Sequence, residues 1–459
     1  MLWCLCCVSL GCALRPEVSN EVIDPKSKNK IDFEKINIEI TEETLSNGLK
    51  VILIPSTTTE TISYQTVYGV GSRHEALGKT GSSHFLEHLL FKGTKKFPEG
   101  EFDKKVEGGG GHNNAYTTYD QTVYYDNIPA SELKAVMELE SDRMKSLELS
   151  DEAFQVEKKV ILEERQLTYE NSPMGKLYES TISSVFAGTP YEHSVIGEIA
   201  DIEGVTKNEI IDFYRRYYSP ENTTLVISGR FDKSKALRLV KKYYSDLENG
   251  EKFSAEKAEP SSYKLKNASL SLSLHGDSPD PLVMYAVPLS KMNLEDRAAF
   301  DLLTIILGDG KSSQLMKRYV ENTGPKLARI GADYYHLEKA GALLVTGQML
   351  PGKKISLFEE DLRSYLQNFC EEEITERELQ KAKNKWLLES FKELDTNSGV
   401  ADFIITMKSD YSEVENYKKL FQLFTEVNLD KVHSVCKKNL TTENGVFASV
   451  WRKHPVVKP

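Results

Sequence analysis

The residues with most chemical meaning in this 459-residue chain are His84-Phe85-Leu86-Glu87-His88. On a helix turning about 100° per residue, His84 and His88 stand about 40° apart and can bind one ion, while Glu87 lies about 60° to the other side of His84. Two imidazoles and a carboxylate aimed the same way suit metal-assisted hydrolysis, with the carboxylate as general base. The order inverts the commoner H-E-x-x-H arrangement. Phe85, Leu86, Leu89 and Leu90 would anchor a helix running from Ser83 to Phe91, capped by Ser82 or Ser83 and ended by Gly93. A catalytic zinc also needs a third protein ligand and an open position. A helical pattern from Asp151 to Tyr169 offers Glu157 and Glu164, about 20° apart on one face, so one could bind metal while the other orients a ligand. Glu163 points about 100° from Glu164 and reads as solvated. Spacing alone does not choose between these carboxylates.

Those helices need a frame. Asn47-Gly48 signals a tight turn before the β-rich run Leu49–Ile54, with further strands expected over Thr61–Val70 and Thr223–Gly229 and a helix over Ser131–Leu147. The stretch Val205–Asn222 runs in register with Val427–Asn444, 222 residues later. Leu149–Glu164 matches Ile374–Glu389 at 225, and Phe85–Gly93 matches Phe300–Gly308 at 215. Three matches in one order imply two copies of one unit. Strand pairs followed by helices make the expected class α+β, with two homologous lobes, each a largely antiparallel sheet with helices packed on it, forming a clamshell. The expected boundaries are a signal-like segment and tether over 1–45, a metal-bearing lobe over 46–245, a linker over 246–262 and a second lobe over 263–459.

Composition narrows the function. A net charge of −11 and no basic stripe argue against nucleic acid as a partner. Gly108–Gly111 lacks the Lys-Ser/Thr of a phosphate loop, and Gly310-Lys311-Ser312 lacks its first glycine, replaced by Ile305, so nucleotide binding is rejected. Four of six cysteines precede residue 13, leaving Cys370 and Cys436, which is no disulfide framework. The apolar run Leu2–Leu14 is too short to span a bilayer and ends Val8-Ser9-Leu10-Gly11-Cys12, loosely a lipoprotein box that would acylate Cys12. Membrane attachment is expected only through that anchor, which would place the chain at the periplasmic side of a bacterial envelope, with a mitochondrial or cytoplasmic setting as the alternative.

His84–Thr94 (HFLEHLLFKGT), Asn114–Tyr125 (NAYTTYDQTVYY), Glu157–Glu164 (EKKVILEE) and Tyr191 through Gly229 together resemble the pitrilysin/insulinase zinc peptidases, the inverzincins. The likeness is to bacterial members of about this length and to the β subunit of the mitochondrial processing peptidase. It covers almost the whole chain after residue 45, strongly to about 232. It implies a zinc endopeptidase with one Zn2+ per chain, held by His84, His88 and a Glu 76 residues after His88, which is Glu164. Glu87 is then the general base and Glu157 a supporting carboxylate. The strand carrying Asn114 becomes the edge to which substrate adds, with Asn114 as a substrate contact and His112 a turn residue. Substrates would be peptides or unfolded polypeptide, and a homodimer or a heterodimer with a related subunit is implied.

Mapped through the repeat, His84, Glu87 and His88 fall on Ala299, Leu302 and Leu303, so the second half cannot hold the metal. Second lobes of the family often carry an Arg in a Ser-Ser-Arg-Leu stretch and a Tyr downstream. Here the stretch is Ser312-Ser313-Gln314-Leu315, with Arg329, Tyr334 and Tyr335 as stand-ins. That gap motivates the alternative of a non-catalytic or partner-dependent subunit of a peptidase hetero-oligomer. Manganese or cobalt would also fit the ligand types, although two imidazoles and a carboxylate suit zinc well.

Overall fold

The computed structural model describes residues 38–250, 269–411 and 417–452. In chain order the first half forms β1 (Thr41–Thr44), β2 (Lys50–Pro55), β3 (Thr61–Tyr68), α1 (Ser82–Leu89), α2 (Glu101–Gly108), β4 (His112–Thr117), β5 (Thr122–Pro129), α3 (Leu133–Lys145), α4 (Asp151–Arg165), α5 (Pro173–Val185) and β6 (Thr223–Gly229). The Asn47-Gly48 turn forms as its residue types require, with Gly48 at φ 89°. The six strands lie in the order β1-β2-β6-β3-β5-β4, antiparallel except for the β2–β6 pair. β4 is therefore an edge.

The second half builds β7 (Leu270–His275), β8 (Leu282–Ser290), β9 (Leu327–His336), β10 (Ala340–Met349) and β11 (Val446–Trp451), ordered β7-β11-β8-β10-β9. Strand for strand this is the first sheet without β1, down to the parallel β7–β11 pair. The helix Lys207–Tyr217 recurs as Leu429–Asn439, with Thr206 and Asn428 as side-chain N-caps. The α+β class and the two homologous lobes are thus as the sequence predicts. Among the described residues, no helix is long and apolar enough to cross a membrane.

The lobes are interlocked by an exchange of helices. α5 of the first half packs on β8 and β11, while the helix Asn397–Tyr411 of the second half packs on β3 and β6. Ile52, Ile54, Val67, Val123 and Val226 consequently belong to the second lobe's core, and Met284, Ala286, Leu344 and Ala448 to the first lobe's. A sheet apolar on both faces needs cover on both, and each lobe's own helices cover one. Polar contacts fix the exchange: Asn397 Nδ2 donates to Thr61 O at 2.9 Å, and Gln65 Nε2 to Asp402 Oδ1 at 3.0 Å.

Several expectations are corrected. β1 lies inside the stretch read as tether and pairs with β2 along its length, because its backbone completes the sheet edge. Cys370 and Cys436 are joined, with an S–S distance of 2.06 Å, stapling the helix Ile355–Glu372 to Leu429–Asn439. Sequence separation of 66 residues hid the pairing, and packing of the two helices creates it. α4 ends at Arg165 and widens into a π-turn over Gln166–Glu170. The Cys12 segment and most of the linker, 251–262, lie outside the described residues. Replacing Cys370 by Ala should lower unfolding free energy by about 2–4 kcal/mol, since the bond restricts a long loop in the unfolded chain; urea titration followed by circular dichroism measures it.

Candidate metal centre and active site

α1 is held by its apolar side. Phe85, Leu86 and Leu89 are buried, and Phe85 stacks on Phe154 of α4 with ring centroids 5.0 Å apart and planes 10° from parallel. That contact brings the two helices together. The start of α1 is not capped by Ser82 or Ser83. Gly81 is the N-cap, at φ 88°, where a Cβ would come within 2.3 Å of Ile196 O. The buried carboxylate of Glu75 accepts from Gly81 N at 2.7 Å and Ser83 N at 2.6 Å, satisfying amides that a serine would have served. Burial pushes Glu75 up to about 8, against those hydrogen bonds. Gly93 lies beyond the helix end, in the turn that bridges to Pro98.

With the apolar side anchored, His84 and His88 face Glu164 of α4. Glu164 Oε2 is 3.3 Å from His88 Nε2 and 3.8 Å from His84 Nε2, and one donor atom from each of the three residues lies within 4.8 Å of the others. Glu157, about two turns earlier on α4, uses Oε1 on His88 Nδ1 at 2.9 Å and Oε2 on Lys92 Nζ at 2.7 Å. It thereby turns His88 Nε2 toward the other donors. Glu164 is 34% exposed, so the cluster opens to solvent on one side. Glu163 is exposed and takes no part.

Electrostatics agree with a cation site. Burial, then the neighbouring His88 charge, drives His84 down to about 3, so its imidazole is neutral and its lone pair available. Burial also pushes His88 down, but hydrogen bonds to Glu157 and Glu164 outweigh it and raise it to about 10. Glu164 would be pushed up by burial, yet hydrogen bonding to His88 and the charges of both imidazoles hold it below its ordinary value. A neutral imidazole, a second imidazole whose proton sits between carboxylates, and an ionised carboxylate form a donor set that fits a divalent ion such as zinc.

Glu87 is buried beside this cluster, and Thr117 Oγ1, at the end of β4, donates to its Oε2 at 2.5 Å. Burial raises Glu87 to about 7, with His88 and Thr117 working in the opposite direction. A carboxyl group balanced near neutrality can both accept and return a proton. Thr117, Lys92 and Glu75 are participants that motif reading missed. Lys92 stands four residues after His88, a spacing that could have pointed to it; nothing local pointed to Glu75.

Other predicted residues stand apart. Asn114 is exposed on the edge strand, where its Oδ1 accepts from Ala115 N at 2.9 Å. Alternation puts its side chain on the sheet face opposite Thr117, because successive strand residues point to opposite faces. His112 is exposed and paired with Asn127 at 3.3 Å. In the second lobe, Ala299, Leu302 and Leu303 are core residues with no donor atoms. Gln314 turns inward to Glu373 O at 3.4 Å, Tyr334 packs on Phe300, and Tyr335 accepts from Tyr178 OH at 2.9 Å. Arg329 is half-buried on β9.

Fold and site together define a metallopeptidase-type protein. The family model described as insulinase (peptidase family M16) matches residues 50–198, and that of the peptidase M16 inactive domain matches 204–386, the half whose metal positions are apolar. A zinc protease, PqqE, of Helicobacter pylori is 32% identical over 389 residues, covering 82% of this chain and 86% of its own. Subunit 1 of the bovine mitochondrial cytochrome b-c1 complex is 31% identical over 203 residues, 44% of this chain and 42% of its own. A solved structure of a protease from Helicobacter pylori superposes with a TM-score of 0.84 at 28% identity, over 90% of this chain and 100% of that one. The chain belongs to the insulinase (M16) peptidase family, and its function is of peptidase type.

Proposed function

We propose that the chain is a zinc-dependent endopeptidase acting on peptides or unfolded segments, with one Zn2+ held by His84, His88 and Glu164. The convergence of those three donors within 4.8 Å beside a buried carboxylate carries the reading. Zinc, when bound, supplies Lewis acidity that polarises a carbonyl and makes water more acidic. Glu87 takes the proton from the attacking water, whose oxygen adds to the scissile carbonyl carbon, and returns it to the departing nitrogen as the C–N bond breaks. Glu157 keeps His88 in the tautomer that presents Nε2. Asn114 is proposed as a contact for the extended substrate backbone on β4. Hydrolysis of a peptide library by the purified protein, its loss on chelation and its return with zinc test the reading. Glu157→Ala should weaken zinc binding about 10- to 100-fold, read by competition with a chromogenic chelator.

An envelope location is proposed on the disulfide, which suits an oxidising compartment, and on the Cys12 stretch. Intact-mass detection of an acyl chain at Cys12 tests the anchor. A partner-dependent enzyme is the second reading, supported by the inward turn of Gln314 and the engagement of Tyr335 with Tyr178. A purified chain that cleaves peptides as fast alone as with a related subunit removes that reading's basis.

A further inference from the structure

We infer that Thr117 is a positioning residue that holds Glu87 Oε2 as a hydrogen-bond acceptor and so leaves Oε1 as the oxygen that takes and returns the proton. The inference rests on Glu87 being the general base. Its own support is the direction of a short hydroxyl chain. Val70 O can only accept, and Thr122 Oγ1 lies 2.9 Å from it, so the single hydroxyl hydrogen of Thr122 is committed there. Thr117 Oγ1 is 3.4 Å from Thr122 Oγ1 but 2.5 Å from Glu87 Oε2, so its hydrogen goes to the carboxylate. A proton on Oε2 would forfeit the 2.5 Å bond that Thr117 donates to that oxygen. A proton on Oε1 leaves the chain unchanged. Thr117 and Thr122 face each other in the β4–β5 ladder and both are buried, so the hydroxyls cannot turn to solvent instead. The same ladder fixes Thr117 to the sheet edge rather than to α1, so the carboxylate is oriented by an element independent of the metal helices.

The test compares Thr117→Val and Thr117→Ser in the zinc-loaded full chain. The Val variant, close in shape but without the hydroxyl, should lose roughly 10- to 100-fold in kcat, with KM and zinc content unchanged. Thr117→Ser should restore kcat to within a few-fold of the parent. In a Glu87→Gln background the Val substitution should add no further loss, because it acts through the carboxylate. A Val variant with parental kcat, or one whose loss persists in the Gln background, overturns the inference. If the Val protein fails to fold, Thr117→Ala against Thr117→Ser carries the same comparison and the same criteria. Parental activity in Glu87→Gln would instead overturn the assignment of the base itself.

Discussion

Glu87→Gln should cut peptide hydrolysis by about 10²- to 10⁴-fold while the protein keeps its zinc. The amide is nearly isosteric with the carboxyl, still accepts from Thr117 at the position of Oε2, and cannot take a proton from water. His84, His88 and Glu164 are untouched, so zinc content measured by atomic absorption should match the parent while kcat collapses. Folding should not suffer either. A carboxyl whose native value is raised from 4.5 to about 7 binds protons more tightly folded than unfolded. Its ionisation therefore costs native stability as pH climbs through that interval, and the cost persists above it. Removing the charge should leave the melting temperature at pH 8 equal to or above that of the parent. A Gln variant that is inactive because it lacks zinc or has melted contradicts this account, as does one that retains substantial turnover.

Glu164→Gln should abolish activity by a different route, through loss of the metal. Its zinc affinity should fall by more than the roughly 10- to 100-fold expected for a supporting carboxylate such as Glu157, since it removes the carboxylate that faces the Nε2 atoms of both imidazoles. In the parent, zinc affinity should rise about tenfold per pH unit through neutrality. His88 in the metal-free chain holds its proton to about pH 10, whereas His84 is already neutral above about pH 3 and Glu164 is ionised. Binding must then expel about one proton, and the apparent affinity follows the deprotonated fraction. The sign for stability is the reverse: the His88 proton stabilises the metal-free fold fully below pH 6.5, and that contribution disappears as pH rises through about 10. Calorimetry in buffers of different ionisation enthalpy counts the protons released. A pH-independent affinity would mean that His88 enters the site without its proton.

The helices that carry the candidate site were legible because their information is periodic. His84 and His88 fall on one face by spacing, and Glu157 and Glu164 do the same on α4. The repeat was legible for a related reason: Lys207–Tyr217 and Leu429–Asn439 keep a constant offset, and both begin at a side-chain cap. The β4 edge was expected from the resemblance, and the sheet order puts it there. Asn114 illustrates where such reading reaches its limit. A strand position is easily named, but the face it presents follows from the alternation that puts Thr117 toward Glu87.

From its sequence alone, this protein has two copies of an α+β unit, a pair of imidazoles able to chelate, and two carboxylates able to assist them, because each is a local pattern repeated along a helix or between halves. Tertiary structure decided which carboxylate meets both imidazoles, which hydroxyl grips Glu87, which cysteines join, and that each lobe completes the other with a borrowed helix. Those contacts join residues 30, 66, 76 and 337 positions apart. No helical or strand period links such distances; they arise only when apolar faces such as those of Phe85 and Phe154 have been buried against each other.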